Sequence, residues 1–153
     1  MKKKLTRLSG ILFALFVLLN ISWFAWRSVK YAPYGEGMEY NNLSFMVPRY
    51  KMTDEDGYDY SIKYPDYLTS TGNLCVGIPA SDENMFTDAL IIWPLVTGGY
   101  EYGILLHDED NSYQIYVDEN GNALDDSCDV IIEQHRSNID SLLDKASAVW
   151  NIG

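Results

Sequence analysis

The sequence predicts an α+β protein: an N-terminal transmembrane helix, then a small domain in which an antiparallel β-sheet is packed by one C-terminal amphipathic helix. Three observations lead there. Residues 8–26 run without a charge. Several later segments alternate apolar and polar side chains with the two-residue period of strands. The final segment repeats its apolar residues every three or four positions, the period of a helix. Strands gathered ahead of one long helix, rather than alternating with helices, mark the α+β class.

At the helical rise, the stretch from Leu8 to Trp26 covers roughly 28 Å, close to the hydrocarbon thickness of a bilayer. Lys2, Lys3, Lys4 and Arg7 precede it, and only Arg27 and Lys30 follow it closely. The excess of positive charge on the leading side predicts that residues 1–7 form a basic cytoplasmic tail and that the remaining chain is extracytoplasmic, on a single pass through the cell membrane. Trp23, Phe24 and Trp26 suit the far interface, where amphipathic rings settle at headgroup depth. A cleaved signal peptide needs small residues at the third and first positions before the cut. Cutting after Ala25 places Trp23 at the outer position, and cutting after Ser22 or Ala32 places Asn20 or Lys30 there. The reading is an uncleaved signal-anchor over residues 8–26.

Residues 27–42 contain Pro33, Gly35 and Gly37 with no apolar period and read as a juxtamembrane linker. The domain is placed at 43–153. Leu43, Phe45 and Val47 alternate with Ser44 and Met46 up to Pro48 as a first strand. After the turn Thr53 to Gly57, the residues Tyr58, Tyr60, Ile62 and Tyr64 occupy every second position and predict a strand with a tyrosine face. Leu74, Val76 and Ile78 form the next strand. Ser81 to Asp88 reads as a loop or one helical turn, and Ala89 to Trp93, a short apolar run ended by Pro94, as a strand buried on both faces. Gly98 and Gly99 turn the chain into a hairpin of Tyr100 to His107 and Tyr113 to Val117, and Asn120-Gly121 marks another tight turn. From Cys128 to Trp150, Ile132, His135, Ile139, Leu142, Leu143 and Ala146 line one helical face, with Asp125, Asp126 and Asp129 at its start to cap free amides.

The chain carries a formal charge of −11, but its basic residues crowd the membrane span. From Tyr31 onward five basic residues face all twenty-two acids, a balance of −17. Such a surface repels phosphate backbones, so no nucleic acid partner is expected, and a cationic or envelope-associated protein is favoured instead. A divalent cation is compatible with the acid-rich turns at Asp54 to Gly57, Asp108 to Asn111 and Asp118 to Gly121. None completes a calcium loop, and hairpin turns select Asp, Asn and Gly for backbone reasons alone, so no metal is predicted. Cys75 and Cys128 form a disulfide only if their Cα atoms approach to about 5.5 Å; otherwise they are buried thiols.

No phosphate loop, nucleophile elbow or zinc-protease motif occurs, and no cofactor is implied. His135 falls on the apolar face of the final helix, where a packed histidine is the plainer reading. His107 stands beside Asp108, Glu109 and Asp110, so a hydrolase centred on it is one expectation. A second is a carbohydrate-binding module, with Tyr58, Tyr60 and Tyr64 as an aromatic platform if the sheet face carrying them is open. The leading expectation is a non-enzymatic, membrane-anchored binding or accessory domain that docks a protein partner through its acidic surface.

Overall fold

The computed structural model describes residues 2–41, 49–79, 86–107 and 111–152, and the chain divides into two compact units, Met1–Pro33 and Tyr34–Gly153. The first unit is helix α1 (Lys2–Tyr31), long and apolar enough to cross a membrane. Leu8, Ile11, Leu12, Phe13, Phe16, Leu19 and Ile21 are each more than half exposed, as a lipid-facing surface requires. The helix does not stop at Trp26: no helix breaker occurs before Pro33, and α1 runs on to Tyr31. Just past the apolar stretch, the Arg27 guanidinium lies 4.8 Å from the ring centres of both Trp23 and Phe24, a cation–π clasp one turn deep.

The second unit is built on a seven-stranded sheet in which every strand pairs antiparallel with its neighbours in sequence. The strands are β1 (Glu39–Asn41), β2 (Arg49–Thr53), β3 (Asp59–Lys63), β4 (Asn73–Pro79), β5 (Phe86–Pro94), β6 (Tyr100–His107) and β7 (Ser112–Val117). Three of these depart from the sequence reading. β1 forms within the segment read as a linker, and β2 was hidden because its inward residues are Tyr50 and Met52 between Arg49, Lys51 and Thr53. β5 begins at Phe86, inside the expected loop. The strand expected at Leu43 to Val47 lies outside the described residues.

After β7, Asp125 caps a 3-10 turn (Asp126–Cys128) by accepting the Ser127 amide at 3.0 Å. Two helices follow, α2 (Asp129–Gln134) and α3 (Arg136–Trp150). The single helix expected from Cys128 to Trp150 is therefore broken at His135, whose backbone leaves the helical range at φ −104°, ψ 10°. The break sets the His135 ring against Asp88, with Nδ1 at 3.2 Å from Oδ2. α3 ends at Asn151, which adopts the left-handed conformation at φ 49° and donates its amide to Ser147 O.

The helices pack on one face of the sheet. Tyr60, Ile62, Leu74, Val76, Leu90, Ile92, Ile104 and Leu106 line that face almost without solvent exposure, opposite Ile132, Ile139, Leu142 and Ala146. Gly121 shows how closely the layers meet. A Cβ there would lie 2.6 Å from Ile139 Cγ2, and its φ of +76° already excludes most side chains. Asp88 is 1 % exposed and sits on the same face. Its carboxylate accepts the His107 amide at 3.0 Å, the Asn138 side-chain amide at 2.7 Å and the His135 ring.

A second polar tie joins the β2–β3 turn to α3. Asp54 accepts the amides of Asp56 and Tyr58 on one oxygen, and the Tyr60 hydroxyl and Lys145 ammonium on the other. Burial works to raise the Asp54 carboxyl, but hydrogen bonds from Lys145, Tyr58 and Tyr60 outweigh it and hold it below its ordinary value. Its stabilisation is thus present above the unfolded value of about 3.9 and is lost as pH falls through the lower folded one. Lys145 is raised, chiefly by its hydrogen bonds to Asp54 and Asp56, so its contribution is present below its unfolded value and fades only in strong alkali. Thermal melts of Asp54→Asn and wild type should therefore differ by less at about pH 2 than at pH 7, because only wild type loses this interaction in acid. An unchanged difference across that range would remove Asp54 from the tie. Comparing the pair also cancels the relief of acidic self-repulsion, which acts on both proteins.

Candidate functional site

Because side chains alternate across a strand, the register that buries one face fixes the composition of the other. Among the described residues no helix of this unit packs on that second face. Two transverse rows cross its middle. In the first, Arg49 faces Lys63, Lys63 faces Asn73, Asn73 lies one position beyond the Leu74–Ile92 pair and so faces Trp93, and Trp93 faces Glu101. In the second, Lys51, Ser61, Cys75, Ile91, Gly103 and Tyr116 follow one another from β2 to β7.

The aromatic residues of these rows are held in place by a glycine. A Cβ at Gly103 would lie 2.8 Å from the six-membered ring of Trp93, so the indole lies flat on bare backbone. Beside it, Tyr116 is 56 % exposed, with its ring centre 5.9 Å from that of Trp93 and the planes tilted by 37°. At this end of the sheet, Tyr100, Glu101, Tyr102, Tyr116, Val117, Asp118, Glu119 and Leu124 line an open depression of about 440 Å³, to which Tyr100, Tyr102 and Val117 belong by the register of the helix-covered face. The Tyr102 hydroxyl is raised by burial, with Tyr100 and Glu119 adding to the effect, so it remains a protonated donor. Asp118 is committed to its own turn: it accepts the amides of Asn120 and Asn122 and the Asn122 side chain. Burial opposes those hydrogen bonds, which nonetheless leave the carboxyl lowered. Rings that stack, with the Asn73 amide and the Glu101 carboxylate beside them on the same face, suit a flat polar ligand with one apolar face.

The tyrosine row Tyr58, Tyr60 and Tyr64 is placed elsewhere. Tyr60 and Tyr64 are buried on the helix-covered face. Tyr60 meets Trp150 edge to face at 5.7 Å, Tyr64 packs on Tyr50 at 5.3 Å, and the Lys145 ammonium sits 4.9 Å over the Tyr58 ring. The Tyr60 hydroxyl is pushed up to about 12 by burial and by its bond to Asp54. These rings tie the sheet to α3 and form no open platform, so a carbohydrate reading does not rest on them. The expected double burial of β5 holds only in part: Leu90 and Ile92 are buried, and so is Ala89 on the other face, whereas Ile91 and Trp93 on that face are half-buried. Gly103, a lone glycine inside a strand pattern, was the signal for a ring lying against backbone.

The two cysteines are free thiols. Cys75 stands on the open face beside Ser61, and Cys128 ends the 3-10 turn leading into the helical layer. Burial pushes the Cys75 thiol up to about 12, so it is protonated at neutral pH and a poor nucleophile. The backbone of His107 is tied to Asp88, and the residue does not line the depression. Its neighbours Asp108, Glu109 and Asp110 lie outside the described residues. In the acidic turns that are described, the oxygens of Asp54 and Asp118 face backbone amides, as turn geometry requires. Comparison with protein-family models, with curated proteins and with solved structures finds no match for this chain.

Proposed function

We propose that this membrane-anchored domain is a non-enzymatic carbohydrate-binding module that takes a sugar ring on the open sheet face, at Trp93 and Tyr116. The observation that supports it is the Trp93 indole seated on Gly103 beside an exposed Tyr116 on the open face. An apolar sugar face stacks on such rings, and the hydroxyls at the sugar's rim find Glu101 and Asn73 on the same face. Docking of a cationic protein through the acidic surface draws less support. Asp54, Asp88, Asp118 and Asp125 direct their oxygens to internal donors rather than outward.

Trp93→Ala should lower glycan affinity at least tenfold, the loss expected when a central aromatic anchor is truncated. Gly103→Ala should do the same by lifting the indole from its seat. Oligosaccharide titration of the full chain in lipid nanodiscs measures both. Undiminished binding by both variants would exclude this site.

The same reading places the amino terminus in the cytoplasm and the sheet outside it, following Lys2, Lys3, Lys4 and Arg7. Protease added to the outside of intact cells should digest the sheet unit. Digestion only after the cytoplasmic side is opened would reverse the orientation.

A further inference from the structure

We infer that the ligand of the open face is an acidic polysaccharide, whose carboxylates are received by Arg49, Lys51 and Lys63 while a ring of the same chain stacks on Trp93. This rests on the carbohydrate reading above and specifies its substrate class.

After Tyr31 the chain has five basic residues: Arg49, Lys51, Lys63, Arg136 and Lys145. Two are committed to the fold. Arg136 pairs with Glu133 and Asp140 and bonds the carbonyls of the Asn120–Gly121 turn, and Lys145 is held between Asp54 and Asp56. The other three share the open face of β2 and β3. Lys63 has a partner in Asp66 at 2.9 Å. Arg49 and Lys51 are exposed and form no ion pair among the described residues.

Fold stability accounts for only part of this arrangement: Glu39 faces Lys51 across β1 and β2, a favourable opposite-charge pair. The register sets Arg49 directly opposite Lys63, and like charges facing one another across a strand pair are unfavourable. Their positions relative to the aromatic pair point to a ligand. Lys63, Asn73 and Trp93 belong to one transverse row, so at the spacing of neighbouring strands Lys63 lies about 10 Å from Trp93 and Arg49 about 14 Å. Ser61 and Asn73 supply neutral polar groups between them. A unit of net −17 repels a polyanion over most of its surface, so such a chain is accepted only along the track where cations and aromatic rings are aligned.

The test uses the full chain in nanodiscs of zwitterionic lipid and two probes: hyaluronan, which alternates neutral and uronic acid sugars, and its carboxyl methyl ester. At low salt, wild type should bind hyaluronan roughly tenfold more tightly than the ester, the product of two exposed charge contacts, and the preference should shrink at high salt. R49Q/K51Q should erase the preference while retaining binding to the ester, and Trp93→Ala should weaken both probes. If wild type binds both probes equally and R49Q/K51Q changes nothing, the acidic assignment is overturned while the carbohydrate reading stands. If wild type binds neither probe, the carbohydrate reading itself fails. Hyaluronan binding that survives Trp93→Ala but vanishes in R49Q/K51Q is simple polyanion adsorption and overturns the proposal. Displacement of hyaluronan by vesicles of anionic lipid would assign the basic strip to a membrane surface instead.

Discussion

Trp150→Ala is expected to destabilise the sheet unit by about 3–5 kcal/mol, the cost of emptying a large aromatic site in a packed core. At the size of this unit that is a fall of roughly 10 °C or more in melting temperature. Trp150 is 7 % exposed at the end of α3. Its ring meets Tyr60 edge to face, and its Nε1 donates to the Tyr34 carbonyl at 3.3 Å. One side chain therefore joins the last helix, the third strand and the start of the unit. Truncation removes an aromatic pair, a partly buried hydrogen bond and the filling of the site together. Circular dichroism of the sheet during thermal unfolding reads the effect without using the missing indole. A melting curve matching wild type would show that α3 closes the core without this residue.

Asp88→Ala should have an effect of similar size by a different route. The carboxylate is enclosed by donors from three elements: the His107 amide in β6, the His135 ring at the helix break and the Asn138 side chain in α3. Alanine removes their shared acceptor. Each buried polar group that loses its partner costs about 1–3 kcal/mol, so a combined loss of about 3–5 kcal/mol is expected. Asp88→Asn, which keeps one acceptor oxygen, should lose less. Equilibrium urea unfolding of the three proteins provides the comparison, and equal stabilities for Asp88→Ala and wild type would reduce the cluster to a surface contact. Hydrogen exchange should also show α2 loosened before the middle of α3, because the cluster sits at their junction.

Much of the fold is legible because burial imposes a period on the chain. Ile62, Leu74, Val76, Leu90, Ile92, Ile104 and Leu106 alternate along strands with one covered face, and Ile139, Leu142, Ala146 and Trp150 recur at helical spacing. β1 and β2 escaped this reading since tyrosine and methionine, not aliphatic residues, fill their inward positions. The helix break escaped it because His135 keeps the apolar face in phase while its own backbone departs from the helix. The candidate site was harder. A tyrosine row is visible in sequence, but which side of a sheet a helix will cover is a tertiary choice, and that choice buried Tyr60 and Tyr64 and left Trp93 and Tyr116 open. Asp88 gave no signal at all, as its three donors come from residues 19, 47 and 50 positions away.

The up-and-down order of the strands also governs how the protein is made. Every sheet pairing is between neighbours in sequence, so each hairpin closes as soon as its second strand is available, and contact order within the sheet is low. The helical layer is different. It follows β7, and Trp150 stands 33 positions after Val117. At a synthesis rate of about 5–20 residues per second, the growing chain carries a paired sheet with a bare apolar face for several seconds before α3 arrives to cover it. During that interval the nascent protein is a hydrophobic surface tethered beside a membrane, and a chaperone that shields open sheets has its natural moment there.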